Sequence, residues 1–194
     1  MNLFDETTLN DVFNSVAKEI KINDIPIPAI VTNGSLNKLD EQESKHLHTI
    51  DKVNQGDLVL HEGNKYLVIT ESMSKRHNKY KNIMVHCNMT LTVAGETISE
   101  IIGFDDFNRP IYKHTIQYFD VPSVLGFDRV GSASTSGAFL TIANGLKAKV
   151  QRNEKNLQYL TINKEIAIEG KTYKITHVDK VQTGIIVVQL EYTT

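Results

Sequence analysis

The chain has 194 residues, 40% of them apolar and 23% charged, enough to bury one large core or two small ones, which excludes a disordered tail and a disulfide-stapled miniprotein. With 21 Lys and Arg against 23 Asp and Glu, the formal charge is -2, so no global field draws the chain onto nucleic acid or an anionic membrane, and any such contact must be local. The single cysteine, Cys87, excludes an internal disulfide, a thiolate zinc site and a CxxC redox pair.

No stretch approaches the roughly 18 consecutive apolar residues of a membrane helix. The opening Met1-Asn2-Leu3-Phe4-Asp5-Glu6 lacks the basic and apolar regions of a signal peptide. The expectation is a protein made and used in the cytoplasm, or released by lysis, with no membrane partner.

Residues 8–20 place Leu9, Val12, Phe13, Val16 and Ile20 at helical spacing, behind Asp5, Glu6, Thr7 and Thr8, which complement the positive end of a helix. This predicts an amphipathic helix, lying on its own sheet or on a neighbouring subunit. Ile20-Lys21-Ile22 reads as a short strand entering a turn at Asn23-Asp24, and Ile25-Pro26-Ile27-Pro28 is held extended by its prolines. Residues 29–32 resume as a strand, and the polar stretch 33–45 reads as an exposed loop or short surface helix.

Val59 and Leu60 then lead through His61-Glu62-Gly63-Asn64 to Lys65-Tyr66-Leu67-Val68-Ile69-Thr70, which predicts a tight hairpin. A basic loop, Ser74-Lys75-Arg76-His77-Asn78-Lys79-Tyr80-Lys81, leads into a long β-prone run over residues 83–93. The same grammar returns near the end, where Glu169-Gly170-Lys171-Thr172-Tyr173 stands over Glu62-Gly63-Asn64-Lys65-Tyr66. Either a structural duplication or recurring hairpin chemistry accounts for it.

Between these parts lie the turn-like Phe104-Asp105-Asp106-Phe107-Asn108-Arg109-Pro110 and the linker-like Gly131-Ser132-Ala133-Ser134-Thr135-Ser136-Gly137. Residues 124–130 read as a strand and 139–142 as its partner across the Ser/Gly loop, which places a domain boundary near residue 122. The expected fold is mainly β. An N-terminal helix with a small antiparallel sheet or barrel occupies residues 1–122, and a small β domain, an Ig-like sandwich or a barrel with almost no helix, occupies 123–194.

No GxSxG, Walker A, GxGxxG or HExxH motif occurs, and the expectation is a non-enzymatic protein without metal or cofactor. His46 and His48 share one face of an extended segment but have no Cys or acidic pattern beside them. His86-Cys87 reads as a core or edge pair, and Asp105-Asp106 as a solvated turn whose side chains point to opposite faces. Lys75, Arg76, Lys79 and Lys81, interleaved with Tyr80, form the smallest footprint for phosphate contact; a soluble hairpin tip is the plainer reading. A sequence-specific DNA reader is not expected, because the predicted helix has no basic face.

Three segments, Asn10-Asp11-Val12-Phe13-Asn14-Ser15-Val16-Ala17, Gly56-Asp57-Leu58-Val59 with Lys65-Tyr66-Leu67-Val68-Ile69, and Tyr80-Lys81 with Met84-Val85-His86-Cys87-Asn88, resemble structural proteins of tailed bacteriophages of Gram-positive bacteria. Ile166-Ala167-Ile168-Glu169-Gly170-Lys171-Thr172-Tyr173-Lys174-Ile175 with Gly184-Ile185-Ile186 resembles a small β domain of the same kind of protein. The resemblance implies a head–tail connector of the virion neck, a stopper, head-completion or adaptor subunit that forms a homo-oligomeric ring below the portal. Its partners would then be further copies of itself, portal or adaptor and tail proteins, and packaged DNA met non-specifically by Lys75, Arg76, Lys79 and Lys81. The alternatives are a tail tube, hub or baseplate protein, or a host-surface or carbohydrate-binding module, although the absence of Trp removes the usual sugar-stacking platform.

Overall fold

The computed structural model describes residues 6–34, 43–75, 79–127 and 145–193. It is mainly β, with two short helices. Helix α1 (Glu6–Val16) is followed by β1 (Lys18–Ile22), β2 (Ile25–Asn33), β3 (Ser44–Thr49), β4 (Leu58–His61), β5 (Asn64–Val68), β6 (Met73–Lys75) and β7 (Lys79–His86). Then come β8 (Met89–Phe104), β9 (Pro110–Phe127), β10 (Gly145–Gln151), helix α2 (Glu154–Tyr159), β11 (Glu165–Ile168), β12 (Lys171–Asp179) and β13 (Ile185–Tyr192).

Two antiparallel sheets result, and each closes on itself. In the first, β3 pairs with β7 as well as β2, so the ring runs β1-β2-β3-β7-β5-β4, with β6 beside β5 on the same edge of β7. The second is a closed barrel in the ring order β8-β9-β10-β13-β12-β11. Numbered within each barrel, both rings read 1-2-3-6-5-4. The two Glu-Gly hairpins occupy equivalent places, strands four and five, in identical register: Val59 faces Tyr66 as Ile166 faces Tyr173. In both turns the two central residues have positive φ, as they also do at Asn23-Asp24 between β1 and β2, which matches the twist of a two-residue hairpin. The recurring sequence therefore marks a structural repeat.

Period-2 alternation sends one set of side chains into each barrel. Ile20, Ile22, Ala29, Leu47, Val59, Tyr66, Val68 and Met84 belong to the first core. Leu91, Val93, Val121, Ala148, Val150, Ile166, Ile175, Ile186, Val188 and Leu190 belong to the second, with Leu160 at the end of α2 packed among them. The interleaved residues Leu67 and Val85 from one barrel and Val124, Ile185 and Val187 from the other form a third buried cluster. It joins the barrels, and each such side chain contributes about 1.5–3 kcal/mol relative to remaining in water. Strand β13 is buried on both faces for this reason, and Ile185-Ile186-Val187-Val188 is consequently unbroken by polar residues.

Two expectations are corrected. The helix stops at Val16, and Lys18–Ile22 is a strand, because Ile20 and Ile22 must both point into the barrel, which a strand achieves at spacing two. Of the helix, Phe13 is buried while Val12 and Val16 stay exposed. The boundary at 122 falls inside β9, where Pro122 pairs with Thr90; the passage between sheets lies between His86 and Met89. Strand β9 pairs next with β10, Phe127 opposite Leu146, and the expected partner at 139–142 lies outside the described residues, as does the Ser/Gly segment. Helix α2, not foreseen, is capped by Asn153, whose side chain accepts a 2.7 Å hydrogen bond from the Asn156 amide.

Candidate functional site

Three of the four predicted basic residues come together on one hairpin. Lys75 and Lys79 pair across β6–β7, and Lys81 lies opposite Met73 on one side and His48 on the other; Arg76 lies outside the described residues. The Lys79 ammonium sits 5.2 Å from the centre of the Phe13 ring, a cation–π contact that helps fasten α1 to the first barrel. His46 and His48 do share a face, their rings 6.5 Å apart edge to face. Among the described residues no group of three or more His, Cys, Asp and Glu is placed to hold a metal ion.

His86 and Cys87 part company: His86 packs its ring 5.4 Å from that of Tyr66, and Cys87 packs against the cluster joining the barrels. Burial pushes the Cys87 thiol up to about 12, against a smaller opposing influence of Lys65. At pH 8 the native thiol is therefore expected to react with a disulfide reagent about a thousandfold more slowly than in the unfolded chain. Comparing the rates with and without denaturant checks this, and equal rates would contradict it. Linkage has the same origin: the fold holds this proton where the unfolded chain releases it, so stability falls as pH rises from about 9 towards about 12.

The most unusual surface lies elsewhere. Strands β8 and β9 run far past the barrel, pairing from Met89 opposite Ser123 to Phe104 opposite Pro110. Their outer part, beyond the bulge between Ala94 and Thr97, is a two-stranded ribbon about 25 Å long at ~3.3 Å per residue. The repeat supplies its own control. The equivalent pair in the first barrel, β1–β2, turns after Ile22 opposite Ile25, so closing a barrel of this plan does not require an arm.

The arm is apolar on both faces. Ile98, Ile101, Ile102, Phe104, Phe107, Ile111, Tyr112, Ile116 and Tyr118 are all exposed, Phe107 by 78%. These side chains leave on the order of 1,000 Å² of surface in water, divided between the two faces, so that each face approaches the ~300–600 Å² of the largest patch on an ordinary monomer. An isolated two-stranded ribbon is at best marginally stable in water, and local contacts hold this one. Ser99 and His114 hydrogen-bond through Oγ and Nδ1 at 2.8 Å, and His114 stacks on Tyr112 with ring centres 6.4 Å apart.

At the tip, the Asp105 carboxylate accepts from the amides of Phe107 at 2.9 Å and Arg109 at 2.8 Å. Asp105-Asp106 is thus a turn, as expected, and it fixes the loop that presents Phe107. The Arg109 guanidinium lies 5.4 Å from the Phe107 ring centre. At the root, a cavity of about 310 Å³ opens between the arm and α2, lined by Glu96, Gln117, Tyr118, Phe119, Lys155, Gln158 and Tyr159 among others. There the Tyr159 hydroxyl donates to Glu96 at 3.1 Å, Phe119 and Tyr159 meet edge to face at 5.4 Å, and the Lys155 ammonium stands 4.1 Å from the Phe119 ring centre.

Sequence reasoning passed over this arm. The signal was present in two β-prone runs, residues 97–102 and 111–118, flanking the turn at 105–109. They show no clean alternation because both faces meet solvent, and Gly103 and Pro110 break the pattern near the turn.

Among known proteins, residues 2–86 match the model of the YomX N-terminal domain, a similarity that points to a phage-associated protein. The match takes in a little under half of the chain and ends at the last residue of β7, where the first barrel ends. The arm and second barrel lie beyond it. No curated protein matches the chain, and no solved structure matches it.

Proposed function

We propose that the chain is a non-enzymatic structural subunit of a tailed-phage particle, assembling through its β8–β9 arm into a ring at the head–tail junction, below the portal. The observation that carries this reading is the arm itself, a fixed projection with apolar surface of interface size that its own barrel does not need. Two barrels fastened by a shared buried cluster give the arm a stiff base, as a load-transmitting subunit requires. The similarity of the first barrel to a phage-associated domain supports the setting. In such a ring Lys75, Arg76, Lys79 and Lys81 would supply phosphate contacts to DNA passing through the channel.

Electron microscopy of the purified chain mixed with portal-bearing capsids of a related phage tests the reading. Added density beneath the portal is expected. Capsids left undecorated by folded protein, with binding to cell-wall glycan instead, would overturn it in favour of a surface-binding module.

A further inference from the structure

We propose that the tip of the arm in one copy seats in the cavity at the arm root of another copy of this chain. This rests on the arm being an assembly element, as proposed above, and adds the identity of its partner.

Three observations select a second copy. The first is area: the ~1,000 Å² the arm leaves in water is about what one side of a standard interface contributes, ~800 Å² per partner. The second is charge. Beyond the root, residues 97–116 carry Glu100, Asp105 and Asp106 against Arg109 and Lys113, and at the tip itself Asp105 and Asp106 stand against Arg109, an excess of one carboxylate. The root sets the exposed Lys155, beside Phe119, Tyr118 and Tyr159, against Glu96, which the Tyr159 hydroxyl already holds. A slightly acidic tip bearing Phe104 and Phe107 thus meets one ammonium and three aromatic rings. The third is reach. Tip and root lie at opposite ends of an extended ribbon about 25 Å long, so a chain cannot fill its own root, and the seat is open to another molecule.

Tip and root are different patches of one chain, so the contact is head-to-tail. Every copy gives a tip and offers a root, and repetition gives a ring if the rotation closes and an open helical filament if it does not. Phe107 enters the root cavity, Asp106 approaches Lys155, and the apolar faces of the ribbon are covered along the way.

Cysteine cross-linking of the full chain tests this. Asp106→Cys places a thiol at the tip and Gln158→Cys another at the root, while native Cys87, half-buried against the cluster joining the barrels, sets the background read from each variant alone. Mixing the two variants under mild oxidation is expected to give a covalent dimer at least tenfold above either variant alone, and Phe107→Ala in the tip variant is expected to reduce the yield about tenfold. Sedimentation of the unmodified chain at high micromolar concentration is expected to show species larger than a monomer. A monomer throughout, no cross-link in the mixture, or equal cross-linking by the tip variant alone would overturn the proposal. A monomeric chain that still adds density to capsids retires this inference and leaves the neck reading standing; an oligomer that ignores capsids does the reverse.

Discussion

Replacing Gly56 or Gly184 with alanine is expected to destabilise the fold by about 2–5 kcal/mol, among the largest effects of any single methyl addition in this chain. The two glycines lie where the loop before β4 meets the loop before β13. Both have positive φ, 90° and 73°, a region that costs a residue with a side chain roughly 1–2 kcal/mol. Space is the larger obstacle. A methyl on Gly56 would overlap the carbonyl oxygen of Gly184, and one on Gly184 would overlap the carbonyl oxygen of Gln55. These obstructions are backbone atoms, so relief requires the barrels to move apart, and overpacking of this kind adds typically 1–3 kcal/mol.

The surrounding groups are committed to the same joint. Gly184 accepts from the Arg152 amide at 2.8 Å. Asn23 donates to Asp57 at 2.8 Å while its carbonyl oxygen accepts from the Leu58 amide at 3.0 Å and from Gln151 at 2.8 Å, linking β4 of one barrel to β10 of the other. Urea unfolding of both variants checks the expectation, and midpoints consistent with a loss under about 1 kcal/mol would mean that the joint is loose.

Removing the arm is expected to leave stability nearly unchanged and to abolish assembly. Deleting residues 97–116 and joining Glu96 to Gln117 through an Asn-Gly turn leaves the pairs from Ala94 opposite Tyr118 down to Met89 opposite Ser123, and with them all of the β8 and β9 residues in the second core. The shortened hairpin then resembles β1–β2, which closes the first barrel with a two-residue turn. Side chains that bury little carry little stability, so the unfolding free energy is expected to stay within about 1 kcal/mol of the parent. Solubility should rise as the apolar surface disappears. Self-association and attachment to capsids are expected to be lost.

Much of the architecture was legible because local chemistry and tertiary demand agree. His61-Glu62-Gly63-Asn64 between β-rich runs can hardly be anything but a hairpin, and its echo at Glu169-Gly170 left open, between chance and duplication, the repeat that the shared ring order shows. The boundary was misread for a physical reason. The strand expected at 124–130 after Pro122 drew the boundary to 122, whereas the passage between barrels at Cys87-Asn88 has no glycine or proline: Asn88 is pinned to Leu125, accepting from its amide at 2.7 Å and donating to its carbonyl at 3.0 Å. A tight crossing held by side-chain hydrogen bonds looks, in sequence, like more strand. The basic hairpin was read correctly as a hairpin from its polarity. The arm was not, since hydrophobic patterning reports burial within one chain, and a ribbon with both faces in solvent has no buried side to set the period.

The arm, and not the barrels alone, is proposed to make this chain an assembly subunit. The most direct measurement compares the full chain with the arm-deleted chain, each first shown to be folded, in electron micrographs of portal-bearing capsids. Density beneath the portal with the full chain and bare portals with the shortened one is the predicted result. Equal decoration by both would contradict the claim and assign the contact to the barrels.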